Sequence, residues 1–271
     1  IAFDIAIDQT FAGCGMAPTK IAVLWEPREI NLPSITKTME LLPDLDLVLT
    51  HDETFLAENS PKAQPLWIGG SYLDTAERLV TSRKFRKVSI SASKKKVMDG
   101  HKLRHEIISR FGRSVTAMGG GYRPYSRASA PYKNFQFSIV VENAKSDSFF
   151  TEKLIHSLLF RCIPVYWGSA RLPVGIDETA IIRFDSIEHL EKILPTLDGS
   201  RYRALREISE RNQRAALEYA SGRLNLQREV GKYFELAGLA NDSGSDYFEH
   251  IDRVLAGKAP FQPLPAPKFL T

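Results

Sequence analysis

Cysteine is scarce in this chain: two among 271 residues, Cys14 and Cys162. That is too few for a disulfide framework, and the pair lacks the close spacing of a zinc site. Cys162, just ahead of an apolar run, reads as a small buried residue. No apolar run approaches the roughly 18–20 residues of a membrane span. The N-terminus has neither the basic flank nor the small-residue cleavage site of a signal peptide. Internal repeats and low-complexity tracts are missing too, which excludes a repeat array. An initiator Met is also lacking. The chain opens inside apolar sequence, Ile1-Ala2-Phe3-Asp4-Ile5-Ala6-Ile7, which suggests that an upstream portion is absent.

What is there is an ordinary globular balance, 43% hydrophobic and 25% charged, with length for one large domain or two of about 100–150 residues. The formal charge of +4 suits an anionic ligand. Part of the excess comes from one cluster, Arg83, Lys84, Arg86, Lys87, Lys94, Lys95, Lys96, Lys102 and Arg104, which also fits a solvated face.

Short apolar runs at 20–25 and 45–50 read as buried parallel strands, with a helix over 34–42 between them. Strand and helix then alternate: strand 87–92, helix 99–111, strand 114–117, a glycine loop at Gly119-Gly120-Gly121, strand 136–141, helix 149–160, strand 163–166, strand 180–184, helix 186–195. This order predicts a doubly wound parallel sheet. Residues 199–238 read as helical, interrupted near Ser221-Gly222. The tail, with Pro260, Pro263, Pro265 and Pro267, reads as extended. The expected division is 1–80, 81–240 and a C-terminal extension 241–271.

The most informative segment is Glu142-Asn143-Ala144-Lys145-Ser146-Asp147-Ser148-Phe149-Phe150-Thr151-Glu152-Lys153, followed by Leu154 to Ser169. Strand 136–141 ends at Glu142-Asn143, where a parallel sheet opens its ligand crevice. The next helix starts with Thr151, Glu152 and Lys153. Its free N–H groups and positive dipole end favour a phosphate, and Lys153 adds a full charge. Glu152 is suited to accept hydrogen bonds from sugar hydroxyls. From spacing alone, Glu152 and Lys153 could equally be surface residues of the helix.

Glu-Asn, then Thr-Glu-Lys, then Ile163-Pro164-Val165-Tyr166-Trp167-Gly168-Ser169 resembles the signature of the family 10 α-1,3/1,4-fucosyltransferases. That signature reads Phe-Glu-Asn-Ser, a short loop, Tyr-Val-Thr-Glu-Lys, a helix, then Pro-Val-x-x-Gly. The resemblance extends more weakly over residues 20–200. Three positions depart from it: Phe135-Gln136-Phe137 stands where the family has aromatic-Lys-Phe, Ala144 replaces Ser, and Phe149 replaces Tyr. Each departure removes a polar group near the donor.

The resemblance implies two Rossmann-like α/β domains facing across a cleft, the glycosyltransferase B type, with a small or incomplete N-terminal domain. It implies an inverting, metal-independent transfer of fucose from GDP-fucose to a hydroxyl of a glycan acceptor, with no other cofactor. The donor would be held by Arg104, Glu142, Asn143, Glu152, Lys153, Gly120 and Gly121. A guanidinium can hold two phosphate oxygens at once, which favours Arg104 over its neighbours His101, Lys102 and His105. Glu26, just past the first strand, would be the catalytic base, with Glu29 in reserve; either could also be an ordinary loop acid paired with Arg28. Asp44-Leu45-Asp46 reads as a strand-entry turn and implies no metal. Other readings are a same-fold transferase using a different nucleotide sugar, a sugar-binding relative without activity, and a basic nucleic-acid-binding module. Nucleic acid is not the expected partner, because the basic cluster has only Phe85 interleaved with it. A cytoplasmic, bacterial- or viral-like setting is expected, and a Golgi lumen if an N-terminal anchor precedes the chain.

Overall fold

Aliphatic runs bounded by turn residues form two parallel sheets in the computed structural model, which describes residues 3–7, 19–67, 69–71, 73 and 82–236. Cys14, the expected boundary near residue 80 and the extension 241–271 lie outside the described residues. The chain divides into two units. Among the described residues, the first takes those up to Trp67, the segment Asp147–Phe149 and Gly222–Leu236; the second takes those of Gly69–Ser146 and Phe150–Ser221.

In the first unit β1 (Phe3–Ile7), β2 (Thr19–Leu24), β3 (Leu47–Thr50) and β4 (Ala63–Pro65) lie side by side in chain order, all parallel. Helix α1 (Arg28–Leu41) links β2 to β3, and α2 (Glu53–Glu58) links β3 to β4. Side chains alternate between two apolar faces, as a sheet covered on both sides requires. Ile21, Val23, Leu47 and Leu49 share one face, while Ala22, Leu24 and Val48 pack with Ile35 of α1 and Phe55 of α2 on the other. Helix α1 begins at Arg28, earlier than the expected 34. Asn31 is non-helical and Pro33 lies inside, so two helical pieces join at a kink. Ser34 donates to Asn31 Oδ1 at 2.6 Å within that joint.

The second unit holds β5 (Arg86–Ser91), β6 (Thr116–Met118), β7 (Phe135–Val141), β8 (Ile163–Trp167) and β9 (Ile182–Arg183) in the order β6-β5-β7-β8-β9, all parallel. Helix α3 (Asp99–Phe111) follows β5, α4 (Glu152–Leu159) follows β7, and α5 (Ile187–Ile193), α6 (Gly199–Ala204) and α7 (Arg206–Tyr219) follow β9. One face of β7, carrying Phe137, Ile139 and Val141, packs with Val88, Ile90, Ile107 of α3 and Leu190 of α5. Helices α4 and α7 pack together, and α4 lies on β7 and β8. Chain order runs outward from β5 to β6 on one side, then returns to β7 and proceeds to β9 on the other. The sheet therefore reverses direction between β5 and β7, and a crevice opens at the carboxyl ends of the strands at such a switch point.

The last described helix, α8 (Gly222–Leu236), rejoins the first unit, where Leu226, Val230 and Phe234 bury themselves against Ile21, Val23, Leu47 and Leu49. This differs from the expected 81–240 domain. Helical spacing reveals the apolar stripe but not which sheet it covers. Strands β1 and β4 and helix α2 are further elements that the sequence reading did not name.

Candidate functional site

The end of β7, at the switch point of the second sheet, carries Arg104, Glu142, Asn143, Glu152 and Lys153, five of the residues that the sequence reading put at the donor. Helix α3 approaches the end of β7 so closely that the Gly100 amide donates to the Asn143 carbonyl at 3.0 Å. A Cβ on Gly100 would lie 1.7 Å from the Glu142 carbonyl oxygen, so glycine is a packing requirement here. One turn on, Arg104 points back into the same crevice. Its Nε donates to the Gly100 carbonyl at 3.0 Å and its Nη2 to Asn143 Oδ1 at 2.6 Å.

Arg104 is 5% exposed, and among the described residues no carboxylate pairs with it. Two of the five guanidinium N–H groups are spent on those two oxygens, which leaves three to offer. Burial lowers its pKa from the ordinary arginine value, against the opposing pull of Glu142 and Glu152. No ion pair among the described residues claims this buried cation, and Glu142 and Glu152 act on it only through space.

Glu142 is not presented to a ligand as the sequence reading expected. It is 0% exposed. Oε1 accepts from the Thr151 amide at 3.0 Å and Oε2 from the Thr151 hydroxyl at 2.6 Å. Thr151 in turn caps α4, accepting from the Lys153 amide at 3.3 Å and from Lys153 Nζ at 2.9 Å. Lys153 Nζ also donates to Glu152 Oε1 at 3.1 Å and stands 3.7 Å from Glu142 Oε2. Burial would lower the lysine pKa, but Glu152 and Glu142 outweigh it and the net shift is upward. Burial pushes the Glu142 carboxyl above its usual range, with Lys153 opposing. Glu152 is held below its usual range, Lys153 and His156 overcoming the effect of burial. The Glu142 side chain therefore orients Thr151 and Lys153. Gly168 faces it from just past β8, where a Cβ would meet Glu142 Cγ at 2.7 Å. Lys153 and Glu152 keep side-chain exposures of 20% and 23%, and Asn143 is half-buried.

The glycine loop follows β6, one strand outward from the switch point. Gly119 and Gly121 have positive φ of 110° and 105°, and Gly120 and Gly121 lie against the Lys94 side chain. Gly119 is pinned by close approach to the Ala92 carbonyl. The basic cluster splits into different environments. Arg83 and Lys87 are exposed at the start of β5, and Lys94, Lys95 and Lys96 are exposed beyond its end. Lys84 donates to the Tyr132 carbonyl at 2.9 Å, and burial takes its pKa down to about 8.

In the first unit Glu26 is exposed just beyond β2, and Glu29 is exposed in the first turn of α1. Arg28 forks onto Asp52, Nε to Oδ2 at 2.8 Å and Nη2 to Oδ1 at 2.7 Å, rather than onto either glutamate. His51 Nε2 lies 3.0 Å from the Trp25 carbonyl, and its ring centroid is 4.7 Å from that of Phe149. Ser148 donates to Glu53 Oε1 at 2.7 Å. Asp46 Oδ2 accepts from the Lys20 amide at 2.8 Å, so the Asp44–Asp46 stretch is a strand entry. Among the described residues no group of His, Cys, Asp and Glu is placed to hold a metal ion, and no helix is long and apolar enough to cross a membrane.

No protein-family model matches this chain, and neither does any curated protein sequence. Its fold matches solved structures. The crystal structure of TarM shares 10% identity at a TM-score of 0.52, covering 84% of this chain and 54% of that one. A TarM mutant from S. aureus in complex with fondaparinux, α-GlcNAc-glycerol and UDP shares 10% at a TM-score of 0.50, covering 79% and 50%. An α1,3-fucosyltransferase structure shares 15% at a TM-score of 0.43, covering 72% and 64%. The chain thus spans less than two thirds of each, and about half of the TarM structures. The fold is α/β with parallel sheets, the glycosyltransferase B type.

Proposed function

We propose that the chain is a nucleotide-sugar-dependent glycosyltransferase whose second unit binds the donor. The observation that carries this reading is Arg104: a guanidinium buried at the switch point of a parallel sheet, without a carboxylate partner among the described residues and with three N–H donors to offer. A diphosphate supplies the missing charge. Lys153, anchored through Thr151, meets a second phosphate oxygen, and Glu152 accepts from sugar hydroxyls. As the bond to the anomeric carbon breaks, the departing nucleoside diphosphate gathers negative charge, which these cations stabilise.

The Glu142–Lys153 and Pro164–Gly168 motifs favour fucose from GDP-fucose, delivered to a hydroxyl of a glycan with inversion and without a metal. Glu26 of the first unit is the base that takes the acceptor proton, with Glu29 as its reserve. A second reading, a UDP-linked sugar, draws on the UDP named in the TarM mutant complex. A thermal-shift panel of GDP, UDP, CMP and GDP-sugars separates the two, since a ligand bound only by the folded state raises its stability. GDP alone should stabilise the chain for the first reading and UDP for the second. No shift with any of them refutes both.

A further inference from the structure

One buried side chain on α3 has a spare N–H that the reading above does not use. His101 lies in the first turn of α3, one helical turn before Arg104, and is 8% exposed. Its Nδ1 accepts from the Met98 amide at 3.1 Å. A neutral imidazole carries one N–H and one lone pair, so this bond fixes the hydrogen on Nε2. Among the described residues Nε2–H has no hydrogen-bond partner, and Nε2 is not one of the side-chain atoms sealed from solvent. His105, by contrast, has both ring nitrogens engaged, by the Tyr122 hydroxyl at 2.5 Å and the Lys95 carbonyl at 3.0 Å.

We propose that His101 is a further ligand of the bound nucleoside diphosphate, presenting Nε2–H to a phosphate oxygen beside Arg104. This rests on the reading of the crevice as a donor site. The ring is surrounded by three cations, Arg104 on its own helix, Lys95 on the loop before it and Lys153 from α4, with the His105 imidazole one turn on. Burial first, then these neighbours, take its pKa down to about 4. It therefore serves as a neutral donor whose orientation is set before the ligand arrives, and no reorganisation is needed when charge develops on the leaving group. It also adds a hydrogen bond without adding a fourth cation to repel Arg104 and Lys153.

Calorimetric titration of the full chain with GDP, and with UDP in parallel, tests this. His101→Asn keeps an acceptor for the Met98 amide but does not reach as far as Nε2. It should bind the nucleotide about tenfold more weakly, with an unchanged Tm in the absence of nucleotide. His101→Gln restores an N–H at greater reach and should recover to within about threefold of wild type. The wild-type to His101→Asn affinity ratio should be the same at pH 8 and pH 6, because the ring is neutral throughout. Equal affinity of His101→Asn and wild type overturns the proposal, and so does a ratio that grows as pH falls, which would mark a cationic ligand. A wild type that binds neither GDP nor UDP overturns the donor-site reading itself, and this proposal with it.

Discussion

Gly100→Ala should damage the proposed donor crevice, although Gly100 has no side chain to offer a ligand. The new Cβ would lie 1.7 Å from the Glu142 carbonyl oxygen and 2.9 Å from that of Asn143, both of them backbone atoms that have little room to give. Real contacts of this kind essentially never fall under 3.0 Å, so α3 must withdraw by about 1.3 Å, the difference from 1.7 Å. That movement breaks the 3.0 Å bond from the Gly100 amide to Asn143, worth about 1 kcal/mol. It also carries off the Gly100 carbonyl that holds Arg104 Nε and stretches the Arg104–Asn143 bond from 2.6 Å. With overpacking added, the cost to the second unit is about 2–4 kcal/mol. Misplacing a positioning group by about 1 Å can cost about 100-fold in rate. Urea unfolding measures the first effect, and steady-state transfer kinetics with calorimetry of GDP measure the second. A Gly100→Ala protein with wild-type stability and wild-type GDP affinity would refute the geometry on which the site is built.

Lys153→Ala should weaken GDP binding about ten- to hundredfold, which calorimetry reads directly. Glu26→Gln should lower transfer by more than about 100-fold and leave GDP affinity within about twofold of wild type. A loss of binding in that variant would move Glu26 out of the role of base. Lys84 gives a pH signature. Its folded pKa of about 8 lies below the ordinary 10.5. Below pH 8 the ammonium is protonated in both the folded and unfolded chain, and its burial cost is felt in full. Between those two values the unfolded chain still holds the proton that the folded chain has released, so stability rises with pH. That difference corresponds to about 3 kcal/mol, less about 1 for the bond to the Tyr132 carbonyl. Lys84→Met should therefore be more stable than wild type by about 1–2 kcal/mol at pH 7, with the advantage gone near pH 10.5, as chemical denaturation at the two pH values would show.

The parallel strands were legible because buried strands need unbroken aliphatic runs: 20–25, 87–92, 136–141 and 163–166 all fall within a residue or so of the observed β2, β5, β7 and β8. Helix α1 was legible only from Ser34 onward, since Pro33 and Asn31 disguise the earlier turn. Within the candidate site, the sequence pattern drew attention to Asn143, Glu152 and Lys153, which are neighbours along the chain. It did not reveal that Arg104 reaches Asn143, since 39 positions separate them and only the strand order joins α3 to the end of β7. Gly100 carried a signal that went unread, a glycine four residues before the arginine where helix and strand ends must touch. Glu142 was misjudged because facing a crevice and facing Thr151 look the same in one dimension. The fate of Lys84, a half-buried amine beside solvated ones, was likewise set by Tyr132, 48 positions away.

The central claim is that Arg104 holds a donor diphosphate, and the most direct test is the GDP affinity of Arg104→Met beside wild type, by calorimetry on folded protein. Two charge-assisted hydrogen bonds are at stake, so the account predicts a loss of about 100-fold or more, with the variant as stable as wild type or more so. Equal affinity in the two proteins would contradict it.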